Sequence, residues 1–226
     1  MANSANLKEQ EIARQENLQD SVSKVDKFFN ENKKTLWGLL IAVIVIGLAV
    51  LGFVKFIYQP KCEEAMQQLY PAEQAFQAGD FELALNGDGN ILGFKDVLDE
   101  YGNKAGKAVY MYAGVSALQL GQFEDAISFL DKYKGKDLIL KARALSCKGD
   151  AYVGLDNLEE AVKCYNAAAA VDENELAARY LLNAGLVYEK LGDKDAALKC
   201  YKEIQDKYIN SMEAYEIEKY INRLGE

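Results

Sequence analysis

The chain has 226 residues, half of them hydrophobic, with Pro60 and Pro71 as its two prolines. That composition excludes a largely disordered polypeptide, and its abundant alanine, leucine, lysine and glutamate favour helix, where these side chains lose little rotamer freedom. The absence of histidine removes the commonest general base and metal ligand, and a net charge of −9 argues against a nucleic-acid partner.

Residues 1–34 are polar, with nearly balanced charge. Leu18, Val22, Val25 and Phe29 recur at helical spacing, which predicts a short amphipathic helix at a membrane surface. A docking helix for a cytoplasmic partner is the sharper alternative.

Residues 35–58 read as a transmembrane helix. From Leu36 to Val54 the sequence LWGLLIAVIVIGLAVLGFV contains no charge, and Trp37 and Tyr58 stand at its two ends like an aromatic belt. At ~1.5 Å per residue such a stretch roughly matches a hydrocarbon core of ~30 Å. A cleaved signal is shorter, lies nearer the N-terminus and ends in small residues, whereas YQPKCEE follows here. Lys24, Lys27, Lys33 and Lys34 precede the span, and Lys55 and Lys61 follow it, so the positive-inside rule predicts a cytoplasmic N-terminus.

Residues 59–226 form the expected outer domain. It holds 19 Lys/Arg against 29 Asp/Glu, so the acidity of the chain resides there. Three segments align without gaps: LGQFEDAISFL on Ala126, LDNLEEAVKCY on Ala161 and LGDKDAALKCY on Ala197, with AGDFELAL on Ala84 as a looser fourth. Gly114, Gly149 and Gly185 stand twelve residues before the first three alanines, and Tyr165 and Tyr201 stand four after the last two. Small residues at facing positions let two antiparallel helices approach, and the aromatics are expected to fill the grooves between neighbouring pairs. Gly121, Asp156-Asn157 and Gly192-Asp193 suit a helix stop followed by an N-cap. The run NGDGNILG, Asn86–Gly93, predicts a loop or broken helix in the first repeat, and EAYEIEKYINRLGE predicts a solvated capping helix. The fold class is therefore all-α, an N-terminal transmembrane helix followed by a solenoid of three to four helix pairs.

This pattern of small residue, aromatic, turn, alanine and aromatic at a period near 34 resembles the tetratricopeptide repeat, from Val109 to Tyr208 and more loosely from Cys62 to Tyr101. The family's usual proline near the end of the second helix is missing from all three clear repeats. The layout of cytoplasmic segment, single anchor and outer helical repeats, with GFKDVLDEYGNKAGKAVYMYAGVSALQLG, also resembles bacterial single-pass proteins of the ancillary Sec-translocon-subunit type. That likeness implies an inner-membrane protein beside the protein-conducting channel, with channel subunits, a periplasmic chaperone or emerging chains as partners. A scaffold of another envelope machine and a eukaryotic organelle anchor are the competing readings.

No catalytic constellation is legible. No histidine is present for a nucleophile pair, GDGNILG lacks the lysine of a phosphate loop, and the acid pairs Glu124-Asp125 and Glu159-Glu160 fall where they complement helix dipoles. Neither a cofactor nor a metal is expected. The resemblance places a partner-binding surface on the first helices of the repeats. In this chain that means Met111 and Val115; then Arg143, Ser146 and Asp150; then Arg179, Leu182 and Glu189. This lining suits a moderately apolar protein segment better than a purely acidic peptide, although Met111, Val115 and Leu182 equally suit inter-helix packing. Cys164 and Cys200 share one register, too far apart on stacked helices for a disulfide, and read as small packing residues; a Cys147–Cys164 bridge is the lesser alternative.

Overall fold

The computed structural model describes the backbone of residues 2–171 and 173–225, and the side chains of Ser23, Lys24, Lys27 and of residues 30–171 and 173–225. The chain divides into two units, Met1–Gln59 and Pro60–Glu226.

In the first unit, α1 runs from Ala2 to Phe53 and is followed by a π-helical turn, Val54–Tyr58. No glycine or proline occurs before Gly38, so nothing breaks the helix between the polar segment and the apolar stretch. The expected division at residues 34 and 35 is thus not marked by a helix end, and the side chains of Leu18, Val22, Val25 and Phe29 lie outside the described residues. One helical run, Asn30–Gln77, is long and apolar enough to cross a membrane, and its most apolar stretch buries nothing within the protein. Isolated in water, so much apolar surface would be costly; a bilayer removes that cost.

The second unit is an all-helical, tetratricopeptide-like solenoid. It begins with α2 (Gln59–Gln77), α3 (Phe81–Asn86) and α4 (Phe94–Tyr101), followed by a 3-10 turn, Gly102–Ala105. Three antiparallel pairs follow: α5 (Ala108–Gln119) with α6 (Phe123–Lys132), α7 (Leu138–Gly154) with α8 (Leu158–Ala169), and α9 (Leu176–Leu191) with α10 (Lys194–Lys207). A 3-10 turn, Glu213–Glu216, and α11 (Ile217–Gly225) close the last pair. Leu69, Leu85, Phe94 and Val97 form the first core, in which Phe76 meets Phe94 and Tyr112 at ring-centroid distances of 6.1 and 5.2 Å. Tyr165, Tyr201, Ile204 and Ile217 centre the second.

The turns show why the pairs repeat. Gly192 takes a φ of 80° and Asp193 then accepts from Ala196 N at 3.0 Å. At the equivalent turn Asp156, with no glycine available, adopts φ 57°, and Asn157 caps the next helix through Glu160 N at 3.3 Å. Each such cap contributes roughly 1 kcal/mol. The interruption at 87–93 is a tight loop: Asp88 Oδ1 accepts from Asn90 N and Ile91 N, both at 2.9 Å, which holds its carboxyl below the usual range.

Gly149 and Gly185 are where two helices touch. A Cβ on Gly149 would sit 2.7 Å from the Tyr165 ring, and one on Gly185 would sit 2.3 Å from the Tyr201 ring. These tyrosines therefore pack inside their own pair, against the expectation that they fill the space between pairs. In the first clear pair Leu130 replaces the tyrosine, and a Cβ on Gly114 would lie 2.6 Å from it. Between pairs it is Phe123 that packs on Gly154, where an added Cβ would meet its ring at 2.4 Å.

Candidate functional site

The helices α5, α7 and α9 line a groove of about 400 Å³. Along α7, Ile139, Arg143, Ser146 and Asp150 follow at i, i+4, i+7 and i+11, which confines them to about 60° of helix surface. Leu176, Arg179 and Asn183 line the facing side from α9, and Val115 contributes from α5. Five of the eight residues singled out in the sequence thus stand together: Val115, Arg143, Ser146, Asp150 and Arg179.

The other three lie elsewhere. Met111 is buried with Leu130, Tyr133 and Ala144. Leu182 packs against the second core. Glu189 Oε1 accepts from Tyr201 Oη at 2.5 Å and from Arg223 Nη2 at 2.6 Å, on an adjoining depression of about 630 Å³. Asp150 and Asn183 border both concavities, which makes them contiguous.

The two arginines differ. Arg179 Nε donates to Glu213 Oε1 at 2.6 Å, tying α9 to the closing 3-10 turn. Arg143 is exposed and has no carboxylate partner among the described residues. Asp150 Oδ1 accepts from Tyr165 Oη at 2.6 Å; burial raises its carboxyl above the ordinary value, and that hydrogen bond opposes the rise. The Cys147 thiol, also in the groove, is pushed up to about 11 by burial and by Asp150, with Arg143 opposing. All four cysteines are free, and no group of acidic or thiol side chains has metal-site geometry among the described residues.

Sequence reasoning missed Ile139, Leu176 and Asn183. The signal was present, because each lies three or four residues from an arginine already singled out and so shares its helical face. It also missed Glu213 as the partner of Arg179, a contact between residues 34 apart that no local spacing encodes.

A helical solenoid with a groove along its first helices is the architecture of the helical-repeat proteins. Residues 140–209 match the tetratricopeptide repeat family. Two solved structures share the fold. One, a crystal structure of MamA protein, is 23% identical with a TM-score of 0.52, covering 73% of this chain and 86% of that one. The other, a crystal structure of MamA, is 23% identical with a TM-score of 0.51, covering 68% and 91%. No curated protein matches the sequence.

Proposed function

We propose that the protein is a non-enzymatic scaffold, anchored in a membrane by α1, whose second unit binds a segment of a protein partner along the α5–α7–α9 groove. The observation that carries this reading is the lining: half-exposed Ile139 and Leu176 beside an exposed Arg143 with no carboxylate partner among the described residues. Aliphatic anchors supply binding energy, and a few polar groups fix orientation.

The basic flank before the apolar stretch supports a cytoplasmic N-terminus and a periplasmic second unit in a bacterial inner membrane. Within that frame, the order of segments supports a place beside the Sec channel, with a periplasmic chaperone or an emerging chain as ligand. The alternative is the scaffold of another envelope assembly, division or secretion machine, which the repeat fold suits as well. Photo-crosslinkers placed at Ile139 and Leu176 in native membranes test this. Adducts with channel subunits or the chaperone support the Sec reading. Adducts only with another complex overturn it in favour of the alternative. No protein adduct from either position rejects the groove as the binding surface.

A further inference from the structure

The connection between α6 and α7 begins the densest basic run of the second unit. From Asp131 to Gly149 six basic residues stand against two acidic ones, a net of +4, inside a region from Gln59 onward whose net charge is −10. Both acids are engaged. Asp131 Oδ1 accepts from Lys148 Nζ at 2.6 Å, and Asp137 Oδ1 caps α7 by accepting from Leu140 N at 2.8 Å. Lys132, Lys134, Lys136 and Lys141 are exposed and have no carboxylate partner among the described residues. Lys107 joins them, because its Nζ donates to the Lys134 carbonyl at 3.2 Å.

One exposed aliphatic side chain, Leu138 at 47% exposure, stands at the same tip, while its neighbour Ile139 lines the groove. The lysines are not an extension of the groove. Successive helical residues turn by about 100°, so Lys141 points away from Arg143 two positions on. Lys134, Lys141 and Lys148 instead border a separate concavity of about 360 Å³ between α6 and α7.

We propose that residues 132–141 are a bilayer contact that seats the second unit on an anionic lipid surface, with Leu138 entering the interface and the lysines meeting headgroups. An acidic polypeptide would satisfy the lysines but would leave Leu138 at the tip without an apolar counterpart. A bilayer offers both layers at once, negative charge outside and hydrocarbon beneath. The α1 anchor, as read under Proposed function, holds that bilayer at high local concentration, so that a weak contact is populated. The inference rests on that reading for the tether alone.

The test is amide hydrogen exchange on the full chain in vesicles of phosphatidylcholine alone or of phosphatidylcholine with phosphatidylglycerol. Exchange across residues 132–141 is expected to slow several-fold in the anionic vesicles. Raised salt, or the combined change Lys132→Glu, Lys134→Glu and Lys136→Glu, returns it to the neutral-vesicle rate, while exchange in α8–α10 stays unchanged as the folding control. Leu138→Ser reduces the slowing without abolishing it. Equal exchange in both vesicles overturns the proposal, as does slowing that appears only when polyglutamate is added, which assigns the patch to an acidic polypeptide. Carbonate extraction is read in parallel. Release of the chain rejects the anchor, whereas unchanged exchange in a chain that resists extraction rejects the loop contact alone.

Discussion

Tyr165 donates its hydroxyl to Asp150 Oδ1 at 2.6 Å while its ring rests on Gly149, so two consecutive residues of α7 receive one side chain of α8. The glycine makes room for the ring and the acid takes the hydroxyl. One repeat on, Tyr201 sits on Gly185, but its hydroxyl reaches Glu189, four residues further along α9.

Removing the hydroxyl separates these two arrangements. Tyr165→Phe leaves the half-buried Asp150 without its hydrogen-bond donor, which costs about 1 kcal/mol. Tyr201→Phe costs less, because Glu189 keeps Arg223 Nη2 at 2.6 Å. Thermal melts are expected to place Tyr165→Phe lowest, at about 2–4 °C per kcal/mol for a domain of this size. Equal losses from the two variants would show that Arg223 does nothing for Glu189.

The pH dependence of Asp150 has a definite sign. Its carboxyl is raised by burial, so the folded chain holds the proton more readily than the unfolded one. Between the ordinary aspartate value and the raised value, stability therefore falls as pH increases. Asp150→Asn keeps an oxygen to accept from Tyr165 and removes the titration. Urea unfolding across a pH series is expected to find the variant more stable than the parent above that window and equal to it below. A parent and variant with the same pH profile would rule this out.

Gly185→Ala places a methyl 2.3 Å from the Tyr201 ring, which is fully buried and cannot swing aside. The expected loss is about 1–3 kcal/mol from overpacking, read by denaturant unfolding. The same change at Gly121, where nothing lies within 4 Å but φ is 72°, acts through backbone strain and destabilises without disturbing the core. Near-ultraviolet circular dichroism distinguishes them, since only Gly185→Ala alters the tyrosine environment.

The periodic features were the legible ones. Gly149 with Tyr165 and Gly185 with Tyr201 recur at a fixed offset because every pair solves the same packing problem, so the sequence displays the solution twice. The direction of the aromatics was not legible, because a spacing of sixteen residues between glycine and tyrosine fits contact within a pair as readily as contact between pairs. The helical stripe on α7 was readable from Arg143, Ser146 and Asp150, since these share one register. For Met111 the sequence left groove and inter-helix packing both open, and for Glu189 the pairing was hidden, because burial and the Arg223 contact depend on α6, α7 and α11, elements that local spacing does not describe.

The cysteines provide a chemical readout of the same packing. Cys164 and Cys200 are 8% and 6% exposed, and burial raises both thiols, Cys200 to about 11. Cys147 stands at about 11 as well. Maleimide at neutral pH is expected to modify Cys62 first in the folded chain and all four after denaturation, counted by mass. Cys62 is accordingly the residue with which to test sidedness in intact cells. Prompt modification of Cys200 in the folded chain would contradict the packing of α10.

Arg143 and Arg179 occupy the same groove and are expected to fail in opposite ways. Arg143 is exposed and has no carboxylate partner among the described residues, so Arg143→Ala should leave the melting temperature unchanged and weaken capture of the partner that the groove crosslinks identify. Arg179 is itself 62% exposed, but its side chain covers Glu213, which is 9% exposed. Arg179→Ala leaves that carboxylate half-sheltered and unpaired, loosening residues 213–216 at a cost of about 1 kcal/mol or less. Hydrogen exchange in the 3-10 turn should rise in Arg179→Ala and stay at the parent rate in Arg143→Ala. If both variants lost partner binding equally with exchange unchanged, Arg179 would be a second ligand contact and its bond to Glu213 incidental. If Arg143→Ala bound normally, the orienting charge would not belong to the groove, leaving Ile139 and Leu176 as its only contribution.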